Sequence, residues 1–174
     1  MNYLTGSDAF YFYYAQCVLV HINDYEPISF LRTQDLFGAY LQTYLQQKNI
    51  IKYHEKYIHT WPSHPYDYLV EVIKQKKWNK LNIALEMDSH YFTAFCYKKI
   101  KTGLPNAKIK DAERLINWVR VVKSEAEIKL MKSAARITEK GMKTAYEHIN
   151  LGVRQCDAVA EIQKALFKGT PELG

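Results

Sequence analysis

Cysteine is scarce in this 174-residue chain and unhelpfully placed: Cys17, Cys96 and Cys156 are odd in number, widely spaced and without a C-x-x-C pair. That argues against a disulfide framework and against a structural zinc site, and a reducing cytoplasm suits such a chain. No apolar stretch approaches a membrane span. The first six residues have neither a basic start nor an apolar signal core, which predicts a protein that is not exported. Internal repeats and low-complexity segments are also missing.

What remains is an ordinary globular composition, 48% hydrophobic and 24% charged, enough for one domain and the start of another. Tyrosine is frequent, at 14 residues, and suits half-buried positions and binding surfaces. The net charge of +6 is spread along the chain. Its densest run, Lys74 to Lys80 around Trp78, is read as a solvated helix end, which predicts no nucleic-acid partner.

The pattern up to about residue 111 alternates strand and helix. Residues 9–22 are rich in Tyr, Phe and Val and read as strand, with 17–22 apolar enough to be buried on both faces. Asn23-Asp24-Tyr25-Glu26-Pro27 is a turn, and 28–31 a second strand, making a hairpin. Helical spacing covers 35–47, and a strand follows at 50–59. Trp61-Pro62-Ser63-His64-Pro65 must be extended and stiff. A helix over 66–76, a short buried strand at 81–85, a helix capped by Asp88 or Ser89 and running to about 101, and a strand at 107–111 complete this part. Gly103 and Pro105 stop the second of those helices.

From residue 111 only helix signals remain. One covers 112–121. The capping box Ser124-x-x-Glu127 opens the next, whose apolar stripe includes Ile128, Met131, Ala135, Met142 and Ile149. A last helix spans 154–168, with Gly169 beyond its end. The boundary is placed between residues 1–121, an α/β layer, and 122–174, a helix pair with no sheet to pack on. Such a pair buries only one face and reads as incomplete.

Three stretches carry a resemblance. Asn2-Tyr3-Leu4-Thr5-Gly6 is similar to the strand end of creatinase/prolidase N-terminal domains. Ile83-Ala84-Leu85-Glu86-Met87-Asp88 resembles their strand-to-helix junction. Leu115 to Arg120, followed by Val122-Lys123-Ser124-x-x-Glu127-Ile128-x-x-Met131-x-x-Ala134-Ala135, resembles their linker and first "pita-bread" helix. Within that family the ectoine-hydrolase branch is the most similar. The shared residues are Gln16-Cys17-Val18, Glu26-Pro27-Ile28, His64-Pro65-x-Asp67-Tyr68-Leu69, Glu86-Met87-Asp88, Gly103-Leu104-Pro105 and Asn117-Trp118.

The resemblance implies a mixed-sheet α/β N-terminal domain, incomplete at its own N-terminus, followed by the first helices of a truncated pita-bread domain. It implies a C–N hydrolase, either an opener of the ectoine ring or an Xaa-Pro aminopeptidase or prolidase. The two aspartates, histidine and two glutamates of the metal-dependent members would lie beyond Gly174. Full-length relatives would hold two divalent metal ions or none, and this chain no cofactor. It further implies a homodimer, or association with the missing catalytic portion, with a small-molecule substrate only in the full-length form. A non-enzymatic interaction module, joined through the exposed helix pair, is the alternative from another class.

No catalytic or metal-binding residue is assigned in the chain itself. Its six histidines lie in separate places, and His54 and His59 are five apart, which does not put them on one face of a strand. Glu86 and Asp88 read as a solvated or paired carboxylate and a helix cap. The stiff loop offers the two candidate substrate contacts, Trp61 and His64, because loops of this kind reach binding sites. In dimers of the family the N-terminal domain of one subunit can lie over the active site of the other.

Overall fold

The computed structural model describes residues 1–8 and 14–171. The reading of residues 9–13 as strand, with the aromatic cluster Tyr11, Phe12 and Tyr13, lies outside the described residues. Two compact units divide the chain, Met1–Leu115 and Ile116–Gly174.

The first unit opens with one helical turn, α1 (Asn2–Thr5), closed by Gly6 at φ +78°. The expected strand end is therefore a turn of helix. Only glycine adopts that φ without strain, which explains the residue. Strand β1 (Cys17–Leu19) pairs antiparallel with β2 (Ile28–Arg32), Cys17 opposite Phe30 and Leu19 opposite Ile28. The expected hairpin forms, but its first strand is shorter than the apolar run suggests. Val20 and Ile22 are 65% and 94% exposed, because the chain turns at His21–Asp24, where the Asp24 amide donates to the His21 carbonyl. Strand β3 (Ile50–Tyr53) pairs parallel with β2 and completes a mixed sheet in the order β1-β2-β3.

Between β2 and β3, helix α2 (Leu36–Gln42) is shorter than its spacing predicts. The cause is Glu26. Its carboxylate accepts from the Gln46 amide at 3.0 Å and the Asn49 side chain at 2.8 Å, holding 46–49 in a separate short turn. These bonds also hold the Glu26 carboxyl below its ordinary pKa, since they favour the charged form. The strand expected over 50–59 ends at Tyr53 for a similar local reason. The His54 ring accepts from the Lys56 amide and starts a 3-10 turn.

Helix α3 (Pro65–Gln75) follows, then β4 (Asn82–Leu85), α4 (Ala94–Gly103) and β5 (Lys108–Asp111). Strands β4 and β5 are parallel and form a second, two-stranded sheet. Among the described residues the five strands thus lie in two sheets rather than one. Strand β4 is half-buried and not fully buried, with Asn82 and Ala84 exposed between Ile83 and Leu85. Helix α4 begins at Ala94, several residues later than expected, and its cap is Thr93, not Asp88 or Ser89. Asp88 is taken by an ion pair with Arg114, and two successive turns, Ser89 to Glu86 and Phe92 to Ser89, occupy the intervening backbone.

One apolar cluster unites both sheets with α3 and α4. Phe30, Tyr53, Tyr66, Leu69, Val70, Ile73, Ile100 and Leu104 are buried in it, and Cys17, Leu19, Ile83, Leu85 and Ile109 pack against it. A smaller cluster, Leu31, Leu36, Ala39, Leu45 and Ile50, covers the opposite face of β2 with α2. The alternation of Phe30 and Leu31 between these clusters is the pleat of a strand buried on both faces.

After β5 the helix expected over 112–121 shrinks to α5 (Leu115–Val119), because Glu113 and Arg114 have φ of 50° and 59° and break it at its start. The second unit consists chiefly of α6 (Glu125–His148) and α7 (Gln155–Lys168). The capping box predicted at Ser124 is present: its hydroxyl accepts from the Glu127 amide, and the Glu127 carboxylate accepts from the Ser124 amide at 2.7 Å. The helices approach closely at Gly141, where a Cβ would stand 2.6 Å from Leu166. Leu130, Met131, Met142, Tyr146, Ile149 and Phe167 remain exposed on this pair. Among the described residues no helix is long and apolar enough to cross a membrane.

Candidate functional site

The loop from His59 to His64 and the start of α4 form the most chemically unusual surface of the first unit. His59 lies at φ 54°, and the Trp61–Pro62 peptide is cis. Trp61 is 82% exposed, yet its ring stacks on Phe95 in the first turn of α4, with centroids 5.4 Å apart. One face of the indole is thereby supported and the rest is open. Lys99, one turn further along α4, clamps the loop: its ammonium donates to the Pro62 carbonyl at 2.9 Å and to Asp67 at 2.8 Å, and it lies 5.3 Å from the Phe95 ring. The loop is thus fixed to both helices at once.

His64 does two structural jobs here. It is the N-cap of α3, its Nδ1 accepting from the Tyr66 amide at 3.2 Å, while Asp67 accepts from the His64 amide at 2.8 Å. Because Nδ1 is an acceptor, the proton of the neutral ring sits on Nε2, which faces the Cys96 sulfur at 4.0 Å. Phe95 and Tyr66 flank the ring at 5.3 and 5.5 Å. Burial lowers the His64 pKa; the Asp67 carboxylate opposes this and the Lys99 ammonium adds to it.

A pH dependence follows. The folded state prefers the neutral ring, so the contribution of His64 to stability is complete above the unfolded value of 6.5 and is lost as pH falls through the lower folded value. Protonation also removes the lone pair that caps α3. Urea midpoints measured between pH 8 and 5 should therefore fall more steeply for the natural chain than for His64→Asn, which keeps an N-cap acceptor but does not titrate. Equal slopes would exclude this role.

Behind the loop, Cys96 is buried and Cys17 is partly buried beside Tyr66. Burial pushes the Cys17 thiol up to about 12, with a Tyr66 hydrogen bond opposing and Cys96 adding to the rise. Such a thiol is inert as a nucleophile near neutral pH. The remaining histidines are dispersed: His21 stacks on Trp78, His54 caps a short turn, His90 contacts Tyr91, and His148 meets the Thr144 carbonyl. Glu86 and Asp88 do not form an acid–base pair, since Asp88 is joined to Arg114. Among the described residues no three His, Cys, Asp or Glu side chains come together as metal ligands.

In the basic run, Lys74 pairs with Glu71 at 3.1 Å and the Lys76 ammonium lies 5.4 Å from the Trp78 ring. This is the expected helix-end arrangement. Lys99 and Phe95 were not legible as part of the loop site. Neither has a local sequence signal, since both meet the loop across more than thirty residues. The clasp in which Arg32 binds Asp35 through two nitrogens, at 2.7 and 3.1 Å, beneath the Tyr14 ring was likewise missed, although the Arg-x-x-Asp spacing hinted at it.

Comparison with known proteins adds what the geometry cannot. Residues 1–122 match the profile of the Creatinase/Prolidase N-terminal domain. The whole chain is 38% identical to the uncharacterized hydrolase/peptidase y4tM of Sinorhizobium fredii, covering 44% of that protein. It is 34% identical to the ectoine hydrolase of Halomonas elongata over 97% of this chain and 42% of that one. Among solved structures, the X-Pro aminopeptidase of Thermotoga maritima superposes with a TM-score of 0.70 at 17% identity, over 97% of this chain and 42% of that one. The prolidase of Pyrococcus furiosus does so with a TM-score of 0.67 at 17% identity, over 99% and 46%. The chain spans less than half the length of these relatives.

Proposed function

We propose, for a chain that belongs to the creatinase/prolidase family through its N-terminal domain, that it is the non-catalytic N-terminal portion of a hydrolase opening the ectoine ring to an N-acetylated diaminobutyrate. The observation that carries the substrate class is the 34% identity to an ectoine hydrolase along nearly the entire chain. The likeness to prolidases and X-Pro aminopeptidases lies in the fold, at 17% identity, and supports the family more than a peptidase activity.

In this reading the loop at residues 59–64 forms part of the wall of a substrate entrance completed by other polypeptide, in a homodimer or with a catalytic portion. Ectoine carries a delocalised amidinium. A supported, open indole face such as that of Trp61 suits such a cation, worth on the order of 1 kcal/mol where water is partly excluded. His64 contributes by fixing the start of α3 and the loop beside it. Bond cleavage is left to residues outside this chain: an activated water, a positioned acid or base and any metal ions belong to the remainder of the relatives. A small-molecule substrate, no nucleic acid and a cytoplasmic setting complete the reading.

The test uses the Halomonas ectoine hydrolase as an intact enzyme, with alanine placed at the position aligned with Trp61. A contact made equally to substrate and transition state raises KM and leaves kcat nearly constant. A rise of roughly fivefold in KM is expected from about 1 kcal/mol. Unchanged KM and kcat would remove Trp61 from the substrate's path.

A further inference from the structure

The Trp61 indole is held by two routes, and His64 stands on both. The first runs through rings. Trp61 stacks on Phe95 with centroids 5.4 Å apart, and His64 meets the same Phe95 ring at right angles at 5.3 Å. The second runs through polar groups. The His64 amide donates to Asp67, and the Lys99 ammonium donates to the same carboxylate oxygen. That ammonium also donates to the carbonyl of Pro62, the residue next to Trp61. Tyr66, 5.5 Å from the imidazole, is buried, whereas Phe95 is half-buried. Phe95 is therefore the freer neighbour of the His64 ring.

One bond in this arrangement depends on the charge of the ring. His64 Nδ1 accepts from the Tyr66 amide at 3.2 Å and needs its lone pair to do so. Nε2 carries a proton in the neutral and the charged ring alike, so its 4.0 Å contact with the Cys96 sulfur does not depend on protonation. The change falls on Nδ1, where an added proton sets N–H against N–H at the head of α3. The ring relieves that clash by turning, and the neighbour able to give way is Phe95. The titratable and charged groups around the ring are Tyr66 and Asp67 on α3 and Cys96 and Lys99 on α4. Burial and Lys99 oppose the charged ring, and Asp67 attracts it. An imidazolium drawn to Asp67 competes there with Lys99, which loosens the second route as well.

We propose that the neutral His64 ring is the positioning residue of this loop, and that its protonation frees the Trp61 indole from Phe95 while the rest of the first unit stays folded. The indole is then presented in one fixed pose near neutral pH and released on acidification. By linkage, a ligand that holds the indole against Phe95 makes His64 harder to protonate by the same factor. The inference concerns the loop itself and stands apart from the substrate reading.

The test is an NMR titration of the full 174-residue chain between pH 8 and 5, with tryptophan and histidine isotopically labelled. The Trp61 indole signal is identified by its loss in Trp61→Phe, and the His64 ring signal by its loss in His64→Asn. The two are expected to titrate together, with one midpoint below the ordinary histidine value of 6.5. Below that midpoint the cross-relaxation between the Trp61 and Phe95 rings should be lost. In His64→Asn, which keeps a cap acceptor but does not titrate, the Trp61 signal should stay constant. His59 also titrates in this loop, and His59→Asn, a residue that tolerates the positive φ there, should leave the Trp61 titration unchanged. The shared midpoint in the natural chain keeps the test decisive should either variant fail to fold. A Trp61 signal that is constant while His64 titrates would overturn the proposal. So would a Trp61 titration that persists in His64→Asn or vanishes in His59→Asn. Loss of the Trp78 and Trp118 signals at the same midpoint would equally overturn it, as unfolding of the whole chain.

Discussion

Phe30→Ala should be the most damaging single substitution in the first unit, lowering stability by about 3–5 kcal/mol. Phe30 is 0% exposed in β2, with its ring 5.2 Å from Tyr53 and 6.1 Å from Tyr68. It touches the sheet on one side and reaches α3 on the other, so truncation opens a cavity at the centre of the larger cluster. Neighbours cannot close it readily, because β2 is held between two strands with both its faces covered. Denaturant unfolding with the m-value unchanged is the measurement. A loss below about 1 kcal/mol would mean that this cluster is not the core of the domain.

A comparable effect is expected at Gly103, the last residue of α4. A Cβ there would lie 2.7 Å from both methyl carbons of Val70 and 3.2 Å from its Cβ. Val70 is buried in α3 and β-branched, so it has no free rotamer in which to retreat. Gly103→Ala should therefore cost about 1–3 kcal/mol by overpacking, despite the higher helix propensity of alanine. Val70→Ala removes the obstructing methyls, so in the double variant the two losses should be non-additive by about 1 kcal/mol or more. Strict additivity would show that the α3–α4 contact relaxes without cost. By the same logic the glycine serves close helix packing here as well as helix termination.

These two sites mark what could be read in the sequence and what could not. Local signals were legible. Ser124 and Glu127 sit three apart and cap α6 by themselves, whereas Pro65, read as the end of the stiff loop, is the first residue of α3, where its fixed φ suits a helix start. The β1–β2 hairpin followed from a turn between two apolar runs. Features set by distant partners were not legible. Helix α4 starts late because Arg114, 26 residues away, takes Asp88. Helix α2 ends early because Glu26, 20 residues before Gln46, binds the chain beyond it. The division of five strands into two sheets depends on pairing that no period reveals. At the candidate site the sequence singled out Trp61 and His64 from the stiffness of their loop. It gave no sign that Phe95 supports the indole, nor that His64 caps a helix, a position where Ser, Thr, Asp and Asn are the usual choices.

The family's N-terminal domain is present, and the proposed division of labour leaves bond cleavage to polypeptide beyond it. The direct test is to incubate the purified 174-residue chain with ectoine, and separately with an Xaa-Pro dipeptide, with and without added divalent metal ions, and to quantify product. Release no faster than in the protein-free blank is predicted under every condition. Repeated turnover of either substrate by this chain alone would place the hydrolytic machinery inside these residues and contradict the account.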